Sequence, residues 1–166
     1  MTTALSLRSA TEADIPVVLD FIRRLADYEK LAHMVVASED LLRDELFGPR
    51  SHVEVLLGFE GAQAVGFAVY FHNFSTFLGR KGIWLEDLFV LPEARGRGYG
   101  KRMLLELGRI AQERGCGRFE WAVLDWNQPS IDFYKSLGAL PLDDWTIFRV
   151  TGDALKNLAR LTPEDQ

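Results

Sequence analysis

The densest chemical signal in the sequence is a run of glycines at alternate positions, Gly96, Gly98 and Gly100. Because glycine has no Cβ atom, such a run can turn several backbone N–H groups towards one anion. An amphipathic helix is predicted from Gly98 onwards, and the start of a helix carries a partial positive charge. Basic side chains flank the turn at Arg95, Arg97 and Lys101. The pattern predicts a site for a pyrophosphate.

Three other interpretations of this turn were compared by their spacing. A nucleoside-triphosphate loop ends in Gly-Lys-Ser/Thr, whereas Lys101 is followed by Arg102, which offers no hydroxyl to magnesium. A dinucleotide fold needs Gly-x-Gly-x-x-Gly, which this spacing misses by one residue. A glycine-rich turn with no ligand remains open on spacing alone.

The remaining metal-ligating residue types do not form a recognisable site. His33, His52 and His72 include no pair spaced for one helix face, and no cysteine pair stands near them, so we expect no metal. Cys116 is the only cysteine, which excludes an intrachain disulfide and favours a reducing compartment, the cytoplasm.

The elements that must position these residues follow from hydrophobic periodicity, caps and turn residues. The predicted strands are Leu5–Arg8, Val53–Phe59, Ala64–Phe74, Gly82–Val90, Arg118–Leu124 and Trp145–Val150. The predicted helices run from a Thr11/Asp14 cap to Tyr28, from Ser38 through Leu46, and over Gly98–Arg114, Pro129–Leu137 and Asp153–Leu161. This order predicts an α/β fold with a mixed, mostly antiparallel sheet, helices on both faces, and one domain over residues 1–166.

Composition narrows the classes of function. The chain has 166 residues, 48% of them hydrophobic and 26% charged, which suits one globular domain. With 19 basic and 24 acidic residues the net charge is −5, which argues against nucleic acid and fits either a cationic substrate or simple solubility. No apolar run approaches the ~20 residues that cross a bilayer, and Met1–Ser6 shows no export signal.

The glycine turn, which follows Leu85–Val90, resembles the acetyl-CoA pyrophosphate motif of the GNAT superfamily of N-acetyltransferases. The order of elements resembles that fold across nearly the whole chain. Further segments resemble the spermidine/spermine N-acetyltransferase group, which includes thialysine acetyltransferases; these are Ala26–Glu29, Val65–Tyr70 and Asp125–Lys135. The resemblance implies direct transfer of acetyl from acetyl-CoA to the primary amine of a small molecule, in a homodimer and without an acyl-enzyme.

The resemblance also implies which residues hold the cosubstrate. The pantetheine arm would pair with the backbone of Leu88, Phe89 and Val90. The pyrophosphate would lie on Gly96, Arg97, Gly98, Tyr99, Gly100 and Lys101, with Arg95 beside them. The far side of acetyl-CoA would meet Asn127, Ser130 and Tyr134.

Two catalytic roles follow from the resemblance. An alkyl ammonium with a pKa of ~10.4 is only about one part in 2,500 neutral at pH 7, so a base is useful. Glu86 matches the family's acid on the fourth strand; it would act directly or through water, and a solvated glutamate is the alternative. Asp87 is the weaker choice, because strand alternation places it on the opposite face. Tyr134 would protonate the leaving thiolate at a cost of only ~2 kcal/mol, unless it is simply a core aromatic.

The residues expected to bind the amine lie on two segments. They are Tyr28 and Glu29 at the end of the first helix, and Glu120, Trp121 and Ala122 on the fifth strand. Lys30 and His33 depart from the acidic loop of polyamine acetyltransferases, which favours a smaller amine or an amino acid whose carboxylate could use Lys30. The remaining alternatives are a silent acyl-CoA sensor and a transferase acting on a peptide or antibiotic amine.

Overall fold

The computed structural model of the chain describes residues 4–161. Contacts group these residues into two compact units, one ending at Ala122 and the other beginning at Val123. The one-domain span of residues 1–166 stays a prediction.

The first unit contains the sheet and three helices. Its elements are β1 (Leu5–Ser9), α1 (Ile15–Tyr28), α2 (Glu39–Phe47), β2 (Val53–Glu60), β3 (Gln63–Ser75), β4 (Arg80–Val90), α3 (Tyr99–Glu113) and β5 (Phe119–Trp121). The second unit contains α4 (Gln128–Ser136) and α5 (Gly152–Leu158). Within residues 4–161, no helix is both long and apolar enough to cross a bilayer.

The five strands lie in the order β1-β2-β3-β4-β5. The first four pair antiparallel with their neighbours, and β5 pairs with β4 in parallel. The predicted mixed, mostly antiparallel sheet is therefore confirmed.

Helices cover both faces of this sheet. Val18 and Phe21 of α1 pack into one core with Leu57 and Phe67. On the other face, Gly58 and Gly66 are register partners, and a Cβ atom at either would come within 3.5 Å of the Met103 sulfur of α3. The two glycines leave room for α3 to pack closely, so the predicted α/β fold class is confirmed.

Two predicted elements at the C-terminal end are wrong. The fifth strand is three residues long instead of extending from Arg118 to Leu124. Trp145–Val150 is not a strand; Trp145 is 75% exposed and Phe148 is 90% exposed. The segment has a strand-forming composition, but a strand also needs a neighbour for its backbone hydrogen bonds, and composition does not specify one.

The Asp14 side chain stabilises the start of the first helical segment through hydrogen bonds. Its carboxylate accepts hydrogen bonds from the N–H and hydroxyl of Thr11 at 2.7 and 2.8 Å, and from Arg8 at 2.7 and 2.9 Å. The Arg8 guanidinium holds the pKa of this carboxyl well below its usual range. The stabilisation it provides is therefore present above the pKa of the unfolded chain, near 3.9, and is lost as the pH falls.

We expect Asp14→Ala to lower the free energy of unfolding by about 2 kcal/mol at pH 7, because it removes a cap and a charged hydrogen-bond acceptor. The difference from wild type should shrink below about pH 4. Urea unfolding at pH 7 and pH 3 measures both values. Asp20→Ala is the control, since Asp20 pairs with Arg24 on the exposed side of α1 and should change stability little. A difference that does not vary with pH would contradict the role given to the charge.

Candidate active site

The glycine turn has the backbone conformation that its sequence suggested. Gly96 and Gly98 have φ angles of 75° and 77°, in the left-handed region, and Gly98 caps α3. A Cβ atom at either position would meet nothing within 4 Å. The backbone conformation, and not crowding, is therefore what calls for glycine here.

The turn presents a set of unused donors. Within residues 4–161, the backbone N–H groups from Gly96 to Lys101 have no backbone acceptor, and the first bond of α3 runs from Arg102 N to Gly98 O at 3.0 Å. These N–H groups lie at the positive end of a 15-residue helix. This donor set fits a pyrophosphate, which offers several acceptor oxygens.

Two of the basic side chains around the turn are already engaged. Arg97 donates to both carboxylate oxygens of Glu60, at 2.9 and 2.8 Å, and to the carbonyl of Glu93. Arg95 Nε donates to Val90 O at 2.9 Å, and its guanidinium lies 4.7 Å from the centre of the Tyr28 ring. An anion at this turn would therefore be held mainly by backbone N–H groups. Tyr99 is buried, so that it too offers its N–H and not its side chain.

The strand leading to the turn has a free edge. Within residues 4–161, β5 pairs with β4 only alongside Ile83–Leu85, so Glu86 to Val90 have no paired strand on that side. Leu91 N donates to Val65 O of β3, so by alternation the backbone groups of Leu88 and Val90 face the free edge, where Val90 O already accepts from Arg95 Nε. Such an edge can pair with an extended amide-containing chain.

A β-bulge lies at the start of this free edge. Val69 pairs with Asp87 and Tyr70 with Leu85, so Glu86 has no partner across the sheet. Glu86 is exposed and accepts a hydrogen bond from Trp84 Nε1 at 2.8 Å. Because regular alternation does not hold across a bulge, the position of Asp87 directly after Glu86 does not place the two side chains on opposite faces of the sheet.

Three carboxyl groups influence one another beside this edge. Burial, together with the charges of Glu86 and Glu29, raises the pKa of Asp87 to about 6. Burial also raises the pKa of Glu29. Such a group of acids attracts a cation. Within the described residues, no group of three or more His, Cys, Asp or Glu side chains is arranged to hold a metal ion.

Glu120 lies on the neighbouring strand, as the register partner of Trp84. Its carboxylate accepts a hydrogen bond from Asn73 Nδ2 at 2.8 Å and forms an ion pair with Arg118 at 2.7 Å. The sequence did not reveal Asn73 and Arg118, because their relation to Glu120 depends on strand register. Trp121 stacks edge-on with Phe119 at 4.9 Å between ring centres, and Ala122 directly follows β5.

The second unit gathers three of the predicted residues on α4. Asn127 caps this helix, and its side-chain oxygen accepts from Ser130 N at 3.4 Å. Tyr134 lies in the last turn, and burial raises the pKa of its phenol. The phenol is therefore protonated throughout the neutral range.

The turn at the start of α3 offers N–H donors that fit a phosphate, the strand before it has an unpaired edge within residues 4–161, and carboxyl groups lie beside that edge. They suit a transferase that takes an acyl group from a phosphate-bearing carrier and gives it to a cationic acceptor.

Comparisons with known proteins identify the family within this class. The Acetyltransferase (GNAT) family pattern matches residues 21–139. The chain belongs to this family and is an N-acetyltransferase.

Relatives and solved structures agree with this assignment. Thialysine N-epsilon-acetyltransferase of Sus scrofa is 39% identical over 92% of this chain and 96% of its own length. Spermidine/spermine N(1)-acetyltransferase-like protein 1 of Homo sapiens is 34% identical over 92% of this chain, but over only 23% of that protein. An integron cassette protein from the mobile metagenome of V. cholerae has a TM-score of 0.80 and 29% identity, over 95% of this chain and 98% of that one.

Proposed function

We propose that the protein transfers acetyl from acetyl-CoA to the side-chain amine of a lysine-like amino acid such as thialysine. The observation that carries this proposal is the free edge of β4, which joins the glycine turn to the carboxyl groups of Glu86 and Asp87. The thialysine acetyltransferase relative, which matches this chain over almost its full length, supports the choice of acceptor.

Two backbone surfaces would hold the cosubstrate. The free edge at Leu88 and Val90 would pair with the pantetheine amides, alongside Phe89, and the N–H groups from Gly96 to Lys101 would bind the pyrophosphate. Asn127, Ser130 and Tyr134 on α4 complete the set that the family resemblance indicates. When bound, acetyl-CoA supplies the thioester carbonyl that the amine attacks.

Glu86 takes the proton that makes the amine nucleophilic, directly or through a water molecule. Glu29 and Asp87 hold the acceptor ammonium before that proton is lost. With a pKa raised to about 6, Asp87 is still mostly ionised at pH 7 and can attract the ammonium. Tyr28 covers the same region from the end of α1, under the guanidinium of Arg95.

Tyr134 gives its phenolic proton to the departing sulfur. The new bond joins the amine nitrogen to the carbonyl carbon, the bond from that carbon to sulfur breaks, and the thiolate becomes the thiol of coenzyme A. The attacking nitrogen loses a second proton to solvent as the amide forms, and solvent returns a proton to the phenolate. The raised pKa of Tyr134 keeps the phenol protonated until the thiolate forms.

The enzyme would act in the cytoplasm as a homodimer. The single cysteine is compatible with a reducing compartment, and a dimer follows from the family resemblance. Light scattering after size-exclusion chromatography measures the oligomeric state, and a monomer at micromolar concentration would contradict the dimer.

The experiment that tests the proposed function is thiol release from acetyl-CoA in the presence of single amines. We expect release with thialysine and lysine analogues to exceed release with spermidine. Binding of acetyl-CoA with no release from any amine would contradict the proposal and indicate a sensor. Release with peptide or antibiotic amines alone would assign a different acceptor.

We expect Glu86→Gln to lower kcat/KM by about 10²- to 10⁴-fold at pH 7, since general-base catalysis contributes that much. The deficit should narrow as the pH approaches the amine pKa of ~10.4, because the free amine then needs no base. Glu113→Gln is the control, since Glu113 lies at the exposed end of α3. A deficit that stays constant from pH 7 to pH 10 would show that Glu86 is not the base.

A further inference from the structure

A fixed ion pair lies beside the proposed acceptor site, formed by Arg118 and Glu120. Arg118 Nε is 2.7 Å from Glu120 Oε2, although the N–H is not aligned for a hydrogen bond. Asn73 Nδ2 donates to the same oxygen at 2.8 Å, and Arg118 Nη2 donates to Phe74 O at 3.1 Å. Both charged groups are therefore anchored to β3.

The backbone makes room for this pair. A Cβ atom at Gly82 would lie 2.4 Å from Asn73 Oδ1 and 2.8 Å from Arg118 Cγ. The Arg118 side chain therefore crosses β4 over the position where a larger residue would stand. Glycine at position 82 is what allows the guanidinium to lie over β4.

Each side chain of the pair has a polar atom that a ligand could use. Within residues 4–161, Arg118 Nη1 and Glu120 Oε1 have no hydrogen-bond partner. The side chains are 35% and 25% exposed, so solvent molecules or a ligand can reach them. An adjacent cation and anion with free donors and acceptors match a zwitterion, which carries the complementary charges side by side.

The distance between Glu120 and Glu86 is similar to the length of a lysine side chain. Glu120 is the register partner of Trp84, and Trp84 lies two residues before Glu86 on β4. Strands lie about 4.8 Å apart and rise about 3.3 Å per residue, which places the Cα atoms of Glu120 and Glu86 about 8 Å apart. A chain of five single bonds separates the α-carbon of lysine from its amine by about 6 Å. Trp84 is adjacent to both acids, because its indole donates to Glu86 and its backbone is the register partner of Glu120.

We propose that Arg118 and Glu120 bind the amino-acid head group of the acceptor. Arg118 binds the α-carboxylate and Glu120 binds the α-ammonium, while the aliphatic chain crosses Trp84 and the reacting amine lies at Glu86. The inference rests on the proposed function and names the residues that set its specificity. A diamine brings no carboxylate to Arg118 and leaves that guanidinium facing a second cation, so the pair selects against it.

The test compares thialysine with bis(2-aminoethyl) sulfide, which is the same chain without the carboxylate. For the wild-type enzyme we expect kcat/KM to be at least tenfold higher for thialysine. Arg118→Gln should raise the KM for thialysine about 10- to 100-fold, leave kcat within about threefold, and leave the KM for the sulfide unchanged or lower. Glu120→Gln should weaken the binding of both substrates and raise both KM values, because both carry an ammonium at that end.

Matched variants separate this role from a structural one. Arg80→Gln removes an exposed arginine at the start of β4 and should change neither KM. Lys30→Gln tests the other cation considered for the carboxylate. Coenzyme A affinity and thermal unfolding of Arg118→Gln report on the integrity of the sheet.

Three results would overturn the inference. The first is that Arg118→Gln raises the KM for thialysine and for the sulfide equally. The second is that Lys30→Gln, and not Arg118→Gln, raises the KM for thialysine selectively. The third is that the wild-type enzyme has no higher kcat/KM for thialysine than for the sulfide. In these cases acetylation itself continues, and the proposed function stands. Absence of release with either amine would instead contradict the proposed function.

Discussion

Replacing Tyr134 with phenylalanine should lower kcat by about 10²- to 10⁴-fold while leaving the Kd for acetyl-CoA within about twofold. The substitution removes the phenolic hydroxyl and keeps the aromatic ring, so a thiolate would leave without protonation. Burial raises the pKa of this phenol, which makes the hydroxyl a proton donor over the whole neutral range. Stopped-flow thiol release and calorimetric titration with coenzyme A measure the two quantities.

Ser136→Ala provides the control for Tyr134→Phe, because it removes a hydroxyl from the same helix. The Ser136 hydroxyl donates to Phe133 O within α4, so its loss should affect turnover little. A Tyr134→Phe enzyme with kcat within twofold of wild type would show that Tyr134 is a packing residue.

Alanine at both Gly96 and Gly98 should raise the Kd for coenzyme A by about 30- to 1,000-fold. A left-handed conformation costs an alanine about 1–2 kcal/mol, and two such residues cost about 2–4 kcal/mol. If the free turn changes shape to relieve this strain, its N–H groups no longer converge, and restoring them on binding costs the strain energy, which gives the expected rise in Kd. If the turn keeps its shape, the same energy lowers the free energy of unfolding instead. Calorimetry and thermal unfolding together distinguish the two outcomes.

Gly108→Ala is the matched control for the turn, since Gly108 lies inside α3 with open space around its Cα and no left-handed φ. Alanine there should preserve binding and slightly raise stability, because it is the better helix former. A double variant at Gly96 and Gly98 that kept both affinity and stability would exclude the turn as the pyrophosphate site.

Local patterns predicted the helices of this fold and the hairpin of β2 and β3 well. Thr11 and Asp14 mark the start of the first helical segment, and Ser38 and Gly48 bound α2. The short turn between β2 and β3 makes those strands antiparallel neighbours. In each case the deciding residues lie within a few positions of one another, which is the range over which caps and turns act.

Features that depend on distant parts of the chain were not predictable in this way. The bulge at Glu86 arises from the register between β3 and β4, and nothing in the local sequence marks it. Likewise, the length of β5 and the conformation of Trp145–Val150 depend on which strand lies alongside. The sequence indicated the glycine turn and Glu86. It did not indicate Asn73 and Arg118, because their contacts with Glu120 depend on how the strands pair.

The unpaired Glu86 residue also changes the phase of β4. Before it, Leu85 pairs with Tyr70, which lies near Arg114 at the end of α3; after it, Phe89 packs against Phe21 of α1, 6.2 Å between ring centres. Odd-numbered residues thus face opposite layers on the two sides of one inserted position. Deleting Glu86 would therefore restore regular alternation: Leu85 and Asp87 would follow one another opposite Tyr70 and Val69, Phe89 would keep its aromatic partner, and the strand would lose only the bulged acid.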